Sequence, residues 1–415
     1  MIKDILHFML VIVQILALLY GFYYFSTSIY GIAEKFSKKP SKNYLPLKKF
    51  AIFIPAHNEE NVIGNIVENL GHLNYPKEYY DVFVIADNCS DNTAKIAEEG
   101  GANVLVRYNE EKKGKGYALQ WAFREVLYRK DADYDAVVVF DADNLVSRDF
   151  LKEMNNKLCD GHKVLQGYID SKNPEDSWIT TSYSIAFWSS NRLFQCAREY
   201  LGLSCQIGGT GFCVDVDILK RIGWEATCLV EDLEFTMKLM LNGIRVGWAH
   251  NAVVYDEKPL TMAQSWRQRR RWMQGFADVC SRYFIKLLVK SIKEKNFALF
   301  DCAIYTLQPY MIIMVGMTLL IPALNTFVFD NEMLIITSRF FPNFFKAFGV
   351  LQFLLIPIGL HLDGKFNYKL FLYYPTYALY CLTWIPISIQ GIIMKNNKEW
   401  SHTLHTRTLS IHEIE

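Results

Sequence analysis

The sequence has 415 residues, enough for two or three domains, and combines a formal net charge of +1 with 51% hydrophobic residues. The near-neutral charge excludes a nucleic-acid-binding protein of the usual kind, because such proteins present a dense basic surface. The nine cysteines include no CxxC pair, so they indicate neither a zinc site nor a disulfide framework, which is typical of a reducing cytoplasm.

The chain opens with an apolar run. Between Ile5 and Ala33 there is no Asp, Glu, Lys or Arg, and roughly 20 apolar helical residues are enough to cross a bilayer. The run is too long for a cleaved signal and no small-residue cleavage site follows it. We therefore predict a permanent transmembrane anchor over residues 1–34.

A lysine cluster follows this anchor. Basic clusters beside a membrane span favour the cytoplasmic side, so the segment from about 35 to 297 is expected in the cytoplasm. The cluster consists of Lys35, Lys38, Lys39, Lys42, Lys48 and Lys49.

Strand-like and helix-like segments alternate through the next hundred residues. Such alternation indicates βαβ units, a mainly parallel sheet and an α/β domain, which we place at residues 45–260. The predicted strands are 50–55, 81–86, 103–107 and 135–140, and the predicted helices are 59–73, 93–99 and 116–129.

Polar residues stand where these strands end. Ligands of parallel sheets bind at the carboxyl ends of the strands, so these residues predict a single ligand site at that edge. They are His57, Asn58 and Glu59 after the first strand, Asp87 and Asn88 after the second, and Asp141 and Asp143 after the fourth.

The triplet Asp141-Ala142-Asp143 directly follows an apolar strand. Alternate residues of an extended segment point the same way, so both carboxylates can face one cavity. Hard oxygen ligands of this kind suit Mg²⁺ or Mn²⁺ bridged to a substrate diphosphate. The alternative is a solvated acidic turn, and the position after a buried strand favours the metal site.

Asp87 can accept hydrogen bonds from a base or a ribose. The alternative for this stretch is an Asx turn or a helix cap, and Asp91 or Asn92 could supply such a cap equally well.

Lys115 lies in a glycine-containing loop before a helix, a setting that suits an anionic group. For the neighbouring Lys112 and Lys113 a surface charge run is an equal alternative.

Glu231 and Asp232 stand at the start of a helix that runs to Gly243. Acids at a helix start often serve only the helix dipole. A site in which a hydroxyl group attacks needs a base to take its proton, and one of this pair is the best candidate outside the strand-end cluster.

The segment 261–297 is predicted to form amphipathic interfacial helices and carries the sequence QRRRW. On a helix Gln268, Arg271 and Trp272 share one face. A guanidinium can neutralise a departing diphosphate, and an indole offers a flat surface to a sugar ring.

An alternative for the same stretch is a helix at the membrane surface with Trp266, Arg267 and Arg269 at the lipid headgroups. The two interpretations are compatible, because they concern opposite faces of the helix.

Three further charge-free runs, 302–329, 347–362 and 370–394, follow. The middle run is short for a span, and a buried helix is its alternative. We assign 298–395 to about three transmembrane helices and 396–415 to a tail. Three later spans would put the tail outside, whereas its basic residues Lys395, Lys398 and Arg407 favour the inside, so the sequence leaves the side of the tail open.

Seven landmarks, taken in order, form a specific set: FIPAHNEE at 53–60, ADNCSDNT at 86–93, GKGYAL at 114–119, DADN at 141–144, GGTGF at 208–212, VEDLEF at 230–235 and QRRRW at 268–272. Over about residues 50–280 the chain thereby resembles the inverting family-2 glycosyltransferases, specifically the processive synthases related to cellulose, chitin, hyaluronan and poly-N-acetylglucosamine synthases. The resemblance implies a GT-A (Rossmann-like) α/β catalytic domain beside transmembrane α-helices.

The resemblance also implies roles for residues. Asp87 would bind uridine, Asp141 and Asp143 the nucleotide diphosphate and its metal, and Asp232 would be the general base. Gln268 and Arg271 would close over the diphosphate and Trp272 would bind the acceptor end. The remaining residues implied are Pro55, Ala56, Glu59 and Lys115 for the donor nucleotide, and Gly209, Thr210 and Glu231 for the acceptor.

Two departures from the family pattern concern the acceptor side. The usual TED triplet is VED at 230–232, which keeps the acids and loses a hydroxyl. The segment that usually reads FFCGS or CGP is IGGTGF at 207–212, so acceptor specificity stays open.

The sequence thus predicts an inverting, Mg²⁺- or Mn²⁺-dependent hexosyltransferase in the plasma membrane. It would transfer glucose or N-acetylglucosamine from a UDP-sugar to a growing polysaccharide and export the product, with accessory export subunits as candidate partners. The alternative is a non-processive transferase that adds one sugar to a membrane lipid. A transporter or a non-catalytic binding protein is disfavoured, because the long apolar runs hold no ionisable residue except His7 in the first.

Overall fold

The computed structural model describes residues 2–37, 42–225, 228–329, 331, 334–340, 342–397, 409 and 411–413. Lys38 and Lys39 of the predicted basic cluster lie outside the described residues, as do Lys398 and Arg407 of the predicted tail.

Eight strands form one mixed sheet, in the order β3-β2-β1-β4-β7-β6-β8-β5. The strands β1 to β4 pair in parallel, as the alternating pattern predicts, and β7 joins β4 antiparallel. The pair β6–β8 is parallel, and β5 closes the other edge antiparallel to β8. The strands are β1 (Phe50–Ala56), β2 (Tyr80–Asp87), β3 (Asn103–Arg107), β4 (Ala136–Val139), β5 (Leu145–Val146), β6 (Val164–Ser171), β7 (Phe212–Asp215) and β8 (Val246–Asp256).

Helices cover both faces of the sheet. The side chains on both sides of its first strands are therefore buried, which explains why these strands consist of continuous apolar runs. On β1, Phe53 faces a cluster that includes Phe83 and Phe123, whereas Ile52 faces the opposite cluster with Ile66. We refer to residues 45–260 as the sheet domain.

The helices that cover the sheet, together with the long helix that follows it, are α2 (Ile63–Leu70), α3 (Thr93–Glu99), α4 (Lys115–Leu127), α5 (Phe150–Cys159), α6 (Trp178–Ser190), α7 (Ala197–Leu201), α8 (Val216–Ile222), α9 (Glu231–Leu241) and α10 (Met262–Glu294). A π-helical stretch, Asn191–Cys196, joins α6 to α7, and a 3₁₀ turn, Lys77–Tyr79, precedes β2. The predicted helix 59–73 begins only at Ile63, because Val62 and Ile63 donate their backbone N–H groups to the Glu59 carbonyl in a turn.

The remaining helices are apolar: α1 (Ile2–Lys35), α11 (Phe297–Thr306), α12 (Gln308–Phe327), α13 (Ile336–Arg339), α14 (Pro342–Leu362), α15 (Tyr368–Leu382) and α16 (Trp384–Ile393). Among the described residues, four stretches are long and apolar enough to span a membrane: α1, α12, α14 and Leu372–Ile393. The run at 347–362, which is short by sequence, is part of a 21-residue helix, because α14 begins before Lys346.

Two buried arginines beside the π-helical stretch join the sheet domain to the apolar helices. Arg192 Nε donates to Asp363 Oδ1 at 2.8 Å, and its Nη1 donates to Glu34 Oε2 at 2.8 Å. Arg198 Nη2 lies 2.9 Å from Asp301 Oδ1, and both of these side chains are fully buried. The sheet domain is therefore held at α1, at the segment after α14 and at α11.

Candidate active site

The ends of β1 and β2 come together at one edge of the sheet, as predicted. Pro55 and Ala56 are the last residues of β1, and Ala56 lies opposite Ala86 of β2. His57 Nδ1 lies 2.7 Å from the Asp87 carbonyl oxygen and ties the two strand ends together. The buried Glu59 follows in the turn before α2.

Asp87 ends β2 and pairs with Arg107, which ends the neighbouring strand β3. Burial raises the pKa of the Asp87 carboxyl, and the hydrogen bond from Arg107 opposes that rise. The Arg107 Nη2 group also donates to the Lys112 carbonyl oxygen at 2.6 Å. Arg107 is absent from the predicted site, although its place at a strand end is the same signal that identified Asp87.

The Asp91 carboxylate forms hydrogen bonds within the local turn. Its Oδ1 accepts hydrogen bonds from the Thr93 backbone N–H at 3.0 Å and the Thr93 hydroxyl at 2.6 Å. Its Oδ2 accepts from the Glu60 backbone N–H at 3.1 Å. The structure therefore favours the role of a turn cap, which the sequence allowed for Asp91.

Asp141 and Asp143 stand in a turn and not on an extended segment, because β4 ends at Val139. The Asn144 side chain holds this turn by accepting the Asp141 backbone N–H at 3.1 Å. Thr210, predicted on the acceptor side, contacts the same turn, since its Oγ1 also accepts the Asp141 backbone N–H, at 3.2 Å.

Asp143 is buried beside the end of β8. Its Oδ1 accepts from the Asn144 side-chain amide at 3.3 Å, and its Oδ2 accepts from the Glu257 backbone N–H at 3.3 Å. The Lys172 ammonium donates to the Asp143 carbonyl oxygen at 2.8 Å.

These two acids fit a divalent cation that shares its coordination with a substrate. No group of three or more His, Cys, Asp or Glu side chains in the described part of the chain could hold a metal ion alone. Mg²⁺ is commonly bound through one or two carboxylates together with substrate phosphates and water. The side chains of Asp141 and Asp143 match that kind of site.

Lys115, the first residue of α4, connects the acids of two separate segments. Its Nζ lies 2.5 Å from Asp141 Oδ1, donates to the Gly209 carbonyl oxygen at 2.7 Å and lies 4.0 Å from Glu231 Oε1. Burial lowers the pKa of the Lys115 ammonium, but Asp141 and Glu231 outweigh burial and leave the pKa above its ordinary value.

Asp232 lies beside this lysine at the start of α9. A Cβ atom on Gly209 would lie 3.3 Å from Asp232 Oδ2 and 3.9 Å from Lys115 Nζ, so the Gly209 backbone borders both charged groups. Burial raises the pKa of Asp232 to about 7, and the negative charge of Glu231 adds to the rise. A carboxylate with this pKa can accept a proton near neutral pH.

The partly buried Asp256 and the buried Lys258 form an ion pair near the acidic turn, with Lys258 Nζ 2.5 Å from Asp256 Oδ1. Burial raises the pKa of Asp256 to about 6, and Lys258 opposes the rise. Sequence reasoning missed this pair, although Asp256 ends a strand as Asp87 does. The irregular pattern beyond residue 150 concealed that strand.

The predicted face of the QRRRW helix is observed on α10. Gln268 Oε1 accepts a hydrogen bond from the Tyr183 hydroxyl at 2.9 Å. The Trp272 ring lies 6.1 Å from the Tyr183 ring and 6.3 Å from the Phe187 ring, measured between centroids. Arg271 Nε is buried and has no hydrogen-bond partner among the described residues.

The alternative placement of Arg269 and Trp266 at the lipid headgroups is wrong for Arg269. Its side chain is fully buried, with the guanidinium 4.2 Å from the Tyr380 ring centroid and Nη1 donating to Thr383 Oγ1 at 2.8 Å. Trp266 donates its indole N–H to Gln390 Oε1 at 2.8 Å. Both residues face the C-terminal helices, which the sequence did not show to lie there.

Comparisons with known proteins identify the family and the fold of this chain. The family model "Glycosyltransferase like family 2" matches residues 46–275, more than half of the chain. A mannosyltransferase of Pyrobaculum calidifontis, solved with GDP-mannose and Mn²⁺, superposes with a TM-score of 0.58 at 18% identity over 92% of this chain and 99% of that one. The expected GT-A fold is thereby confirmed.

Curated relatives match at higher identity. The probable glycosyltransferase YdaM of Bacillus subtilis is 28% identical over 65% of this chain and 65% of its own length. The beta-monoglucosyldiacylglycerol synthase of Synechocystis is 30% identical over 56% of this chain and 48% of its own. The poly-beta-1,6-N-acetyl-D-glucosamine synthase of Staphylococcus aureus is 26% identical over 67% and 65%. The matches thus span between about half and two thirds of these relatives.

Proposed function

This chain belongs to the family-2 glycosyltransferases, and from that premise we propose that it transfers a sugar from a UDP-sugar to an acceptor hydroxyl with inversion. The observation that carries the proposal is the meeting of Lys115, Asp141 and Asp232 around the Gly209 backbone. A partly buried acid with a pKa of about 7, next to a cation and an acidic turn, suits proton removal beside a diphosphate.

Each residue then has a defined task. Asp87, held by Arg107, binds the uridine, and Asp232 takes the proton of the attacking hydroxyl. Arg271 donates to the diphosphate as it leaves, because charge-assisted hydrogen bonds stabilise the negative charge that develops there. Asp141 and Asp143 would hold Mg²⁺ or Mn²⁺, which supplies further positive charge at the diphosphate when bound.

The acceptor binds on the side of Trp272, whose ring belongs to an aromatic cluster with Tyr183 and Phe187. An aromatic surface of this kind suits a sugar ring. We therefore favour a growing polysaccharide as the acceptor, and glucose or N-acetylglucosamine as the transferred sugar. The similarity over 67% of this chain to a relative named as a polysaccharide synthase supports this choice.

A membrane lipid is the second candidate acceptor. One relative, 30% identical, is named as a glucosyldiacylglycerol synthase. In the part of the chain that the structure describes, four stretches are long and apolar enough to cross a membrane, which are few helices to form a channel for a polymer. On either alternative we place the sheet domain on the cytoplasmic side of the plasma membrane, which the lysine cluster after α1 favours.

The experiment is to measure UDP release by the purified protein with Mg²⁺ or Mn²⁺ across a panel of UDP-sugars, and to size the products. We expect release with one donor, and a long product that a glycosidase degrades. A lipid carrying one sugar would select the second acceptor. An intact protein that releases UDP from no donor, with either acceptor class supplied, would contradict the proposal.

A further inference from the structure

The fourth apolar stretch consists of α15 and α16, which meet at a bend at Thr383. We call Tyr368–Ile393 the C-terminal helix pair. Its apolar part, Leu372–Ile393, has 22 residues and so meets the length and composition of a membrane span. Its contacts with α6 and α10 indicate that it does not cross the membrane.

The first half of the pair lies along α6 of the sheet domain. Lys369 Nζ lies 2.8 Å from Glu175 Oε2, just before α6 begins. Three helical turns later the Tyr380 ring lies 5.5 Å from the ring of Tyr183, in the middle of α6. Both ends of α15 are therefore at the surface of the sheet domain.

The second half lies along α10. Arg269 Nη1 donates to Thr383 Oγ1 at 2.8 Å at the bend, and Gln274 Nε2 donates to the Met394 carbonyl oxygen at 3.1 Å just past the end of α16. The helix α10 is itself fixed to the sheet domain, since the Tyr283 hydroxyl donates to Glu234 Oε1 at 3.0 Å.

The other long apolar helices behave differently. The far end of α12 packs beside the beginning of α1, where Ile321, Phe329 and Leu10 form one cluster. The helix α14 then returns to the sheet domain at Asp363, which binds Arg192. A helix that crosses a bilayer must advance about 30 Å at about 1.5 Å per residue, and α1, α12 and α14 lead away from the sheet domain in this way, whereas the C-terminal helix pair does not.

The outer face of the pair is apolar along its whole length. Seven of its exposed residues recur at alternating spacings of three and four, which places them on one side of a helix. Leu372, Leu379 and Ile393 on this face are 71%, 60% and 75% exposed. The complete stripe is Leu372, Pro375, Leu379, Leu382, Pro386, Ile389 and Ile393.

We propose that the C-terminal helix pair lies in the leaflet on the side of the sheet domain, with this stripe against the acyl chains, and does not cross the bilayer. The partner of the stripe is lipid, because the stripe carries no charged side chain and continues from the apolar surface of α12, which contacts α16 through Gly316 and Ile385. Three helices then cross the membrane, and Lys395 lies on the same side as the sheet domain. This placement agrees with the basic character of the residues that follow.

Cysteine labelling tests the placement without any need for enzymatic activity, so its result is independent of the proposed function. The background variant carries Ala in place of the four cysteines that are not buried, Cys89, Cys159, Cys228 and Cys381. Single cysteines are then added as Glu110→Cys in the sheet domain, Ser338→Cys between α12 and α14, and Asn396→Cys after the pair. Intact cells and inverted membrane vesicles are treated with a membrane-impermeant maleimide.

We expect Asn396→Cys to react in the same preparation as Glu110→Cys, and Ser338→Cys to react in the other one. Labelling of Asn396→Cys together with Ser338→Cys would overturn the proposal, because the pair would then cross the membrane. Labelling of Glu110→Cys and Ser338→Cys in one preparation would overturn it as well, since α12 and α14 would not cross. Asn397→Cys serves as a second position, and reaction of every variant in detergent confirms that each thiol is accessible.

Discussion

At the level of single side chains, opposing charges determine the pKa of Asp232 in the acid pair at the start of α9. Glu231 raises the pKa of Asp232 by repulsion, in addition to the effect of burial, while Lys115 lowers it by attraction. The result, a pKa of about 7, places the proton equilibrium of Asp232 in the range where a base can accept a proton and lose it again.

Asp232→Asn removes the proposed base and leaves the volume of the side chain nearly unchanged. We expect turnover to fall by about 10²- to 10⁴-fold, the usual contribution of general base catalysis, while the dissociation constant of the donor changes little. UDP release and calorimetric donor binding measure the two effects separately. A variant that retains turnover would show that another group takes the proton.

Glu231→Gln tests whether the negative charge of Glu231 contributes to the raised pKa of Asp232. Because Asp232 acts when it is ionised, kcat/KM of the parent protein should fall as the pH drops through about 7. Removing the neighbouring negative charge lowers the pKa of Asp232, so the fall should move to lower pH in the variant. A pH profile of UDP release measures the shift. An acid limb at the same pH in both proteins would contradict this assignment.

The residues of the site were predictable where they follow a strand or belong to a helix face. Asp87 and Asp141 follow apolar strands, and the helical spacing of Gln268 and Trp272 places them together. Arg107 was not found, because its contact with Asp87 depends on the pairing of β2 with β3, which the order of segments alone does not fix.

At the level of elements, α10 is the part that contacts both the residue before the acid pair and the apolar helices. Gly275 lies against Val230, the residue before the acid pair, so closely that a Cβ atom would overlap the Val230 side chain. Gly391 of α16 lies equally close to Met273 on the neighbouring turn of α10. The position of Asp232 therefore depends on the packing of three successive elements, α9, α10 and α16.

Gly275→Ala should displace Val230 and with it the acid pair. We expect kcat to fall by about 10- to 100-fold, because a shift of about 1 Å in a catalytic group has an effect of this size. Adding Val230→Ala should restore much of the loss by making room for the new methyl group. Steady-state UDP release measures both variants.

Gly349→Ala is the matched control, since a Cβ atom at that position meets nothing within 4 Å. Full activity of Gly275→Ala would contradict the proposed coupling. So would a double variant that folds, as judged by thermal unfolding, and is no more active than the single one.

The packing of α10 against the C-terminal helices could also not be predicted from the sequence. The pattern predicted the catalytic face of α10 but placed Arg269 on the lipid side, because an arginine next to tryptophans is typical of a membrane surface. In the structure Tyr380 and Thr383 supply partners that make burial of this guanidinium possible. Those partners are more than a hundred residues away in the chain, beyond the reach of a local pattern.

At the level of the whole molecule, the sheet domain and the apolar helices form one connected unit. Asp301 of α11 binds Arg198 of the sheet domain and accepts a hydrogen bond from Tyr23 of α1. The Arg198 and Asp301 side chains are fully buried, so neither charge has water as a substitute partner.

Arg198→Met should leave Asp301 buried without its counter-charge. We expect a loss of about 3–5 kcal/mol in the free energy of unfolding, measured as a lower midpoint of denaturation in detergent. The double variant Arg198→Met/Asp301→Leu removes both charges and should be more stable than Arg198→Met alone. A double variant that is as unstable as the single one would show that packing, and not the unpaired charge, is responsible.

The Arg192 cluster has a consequence for the order of events during synthesis. Glu34 is made before Arg192, but Asp363 follows it by 171 residues. At about 5–20 residues per second, roughly 10 to 30 s pass before the ribosome adds the second acidic partner. During that interval a guanidinium that is buried in the finished protein has only one of its two carboxylates, so the sheet domain completes its structure after most of the chain has emerged. A chain that stops before Asp363 would therefore leave the Arg192 guanidinium without one of the two carboxylates that it contacts in the finished protein.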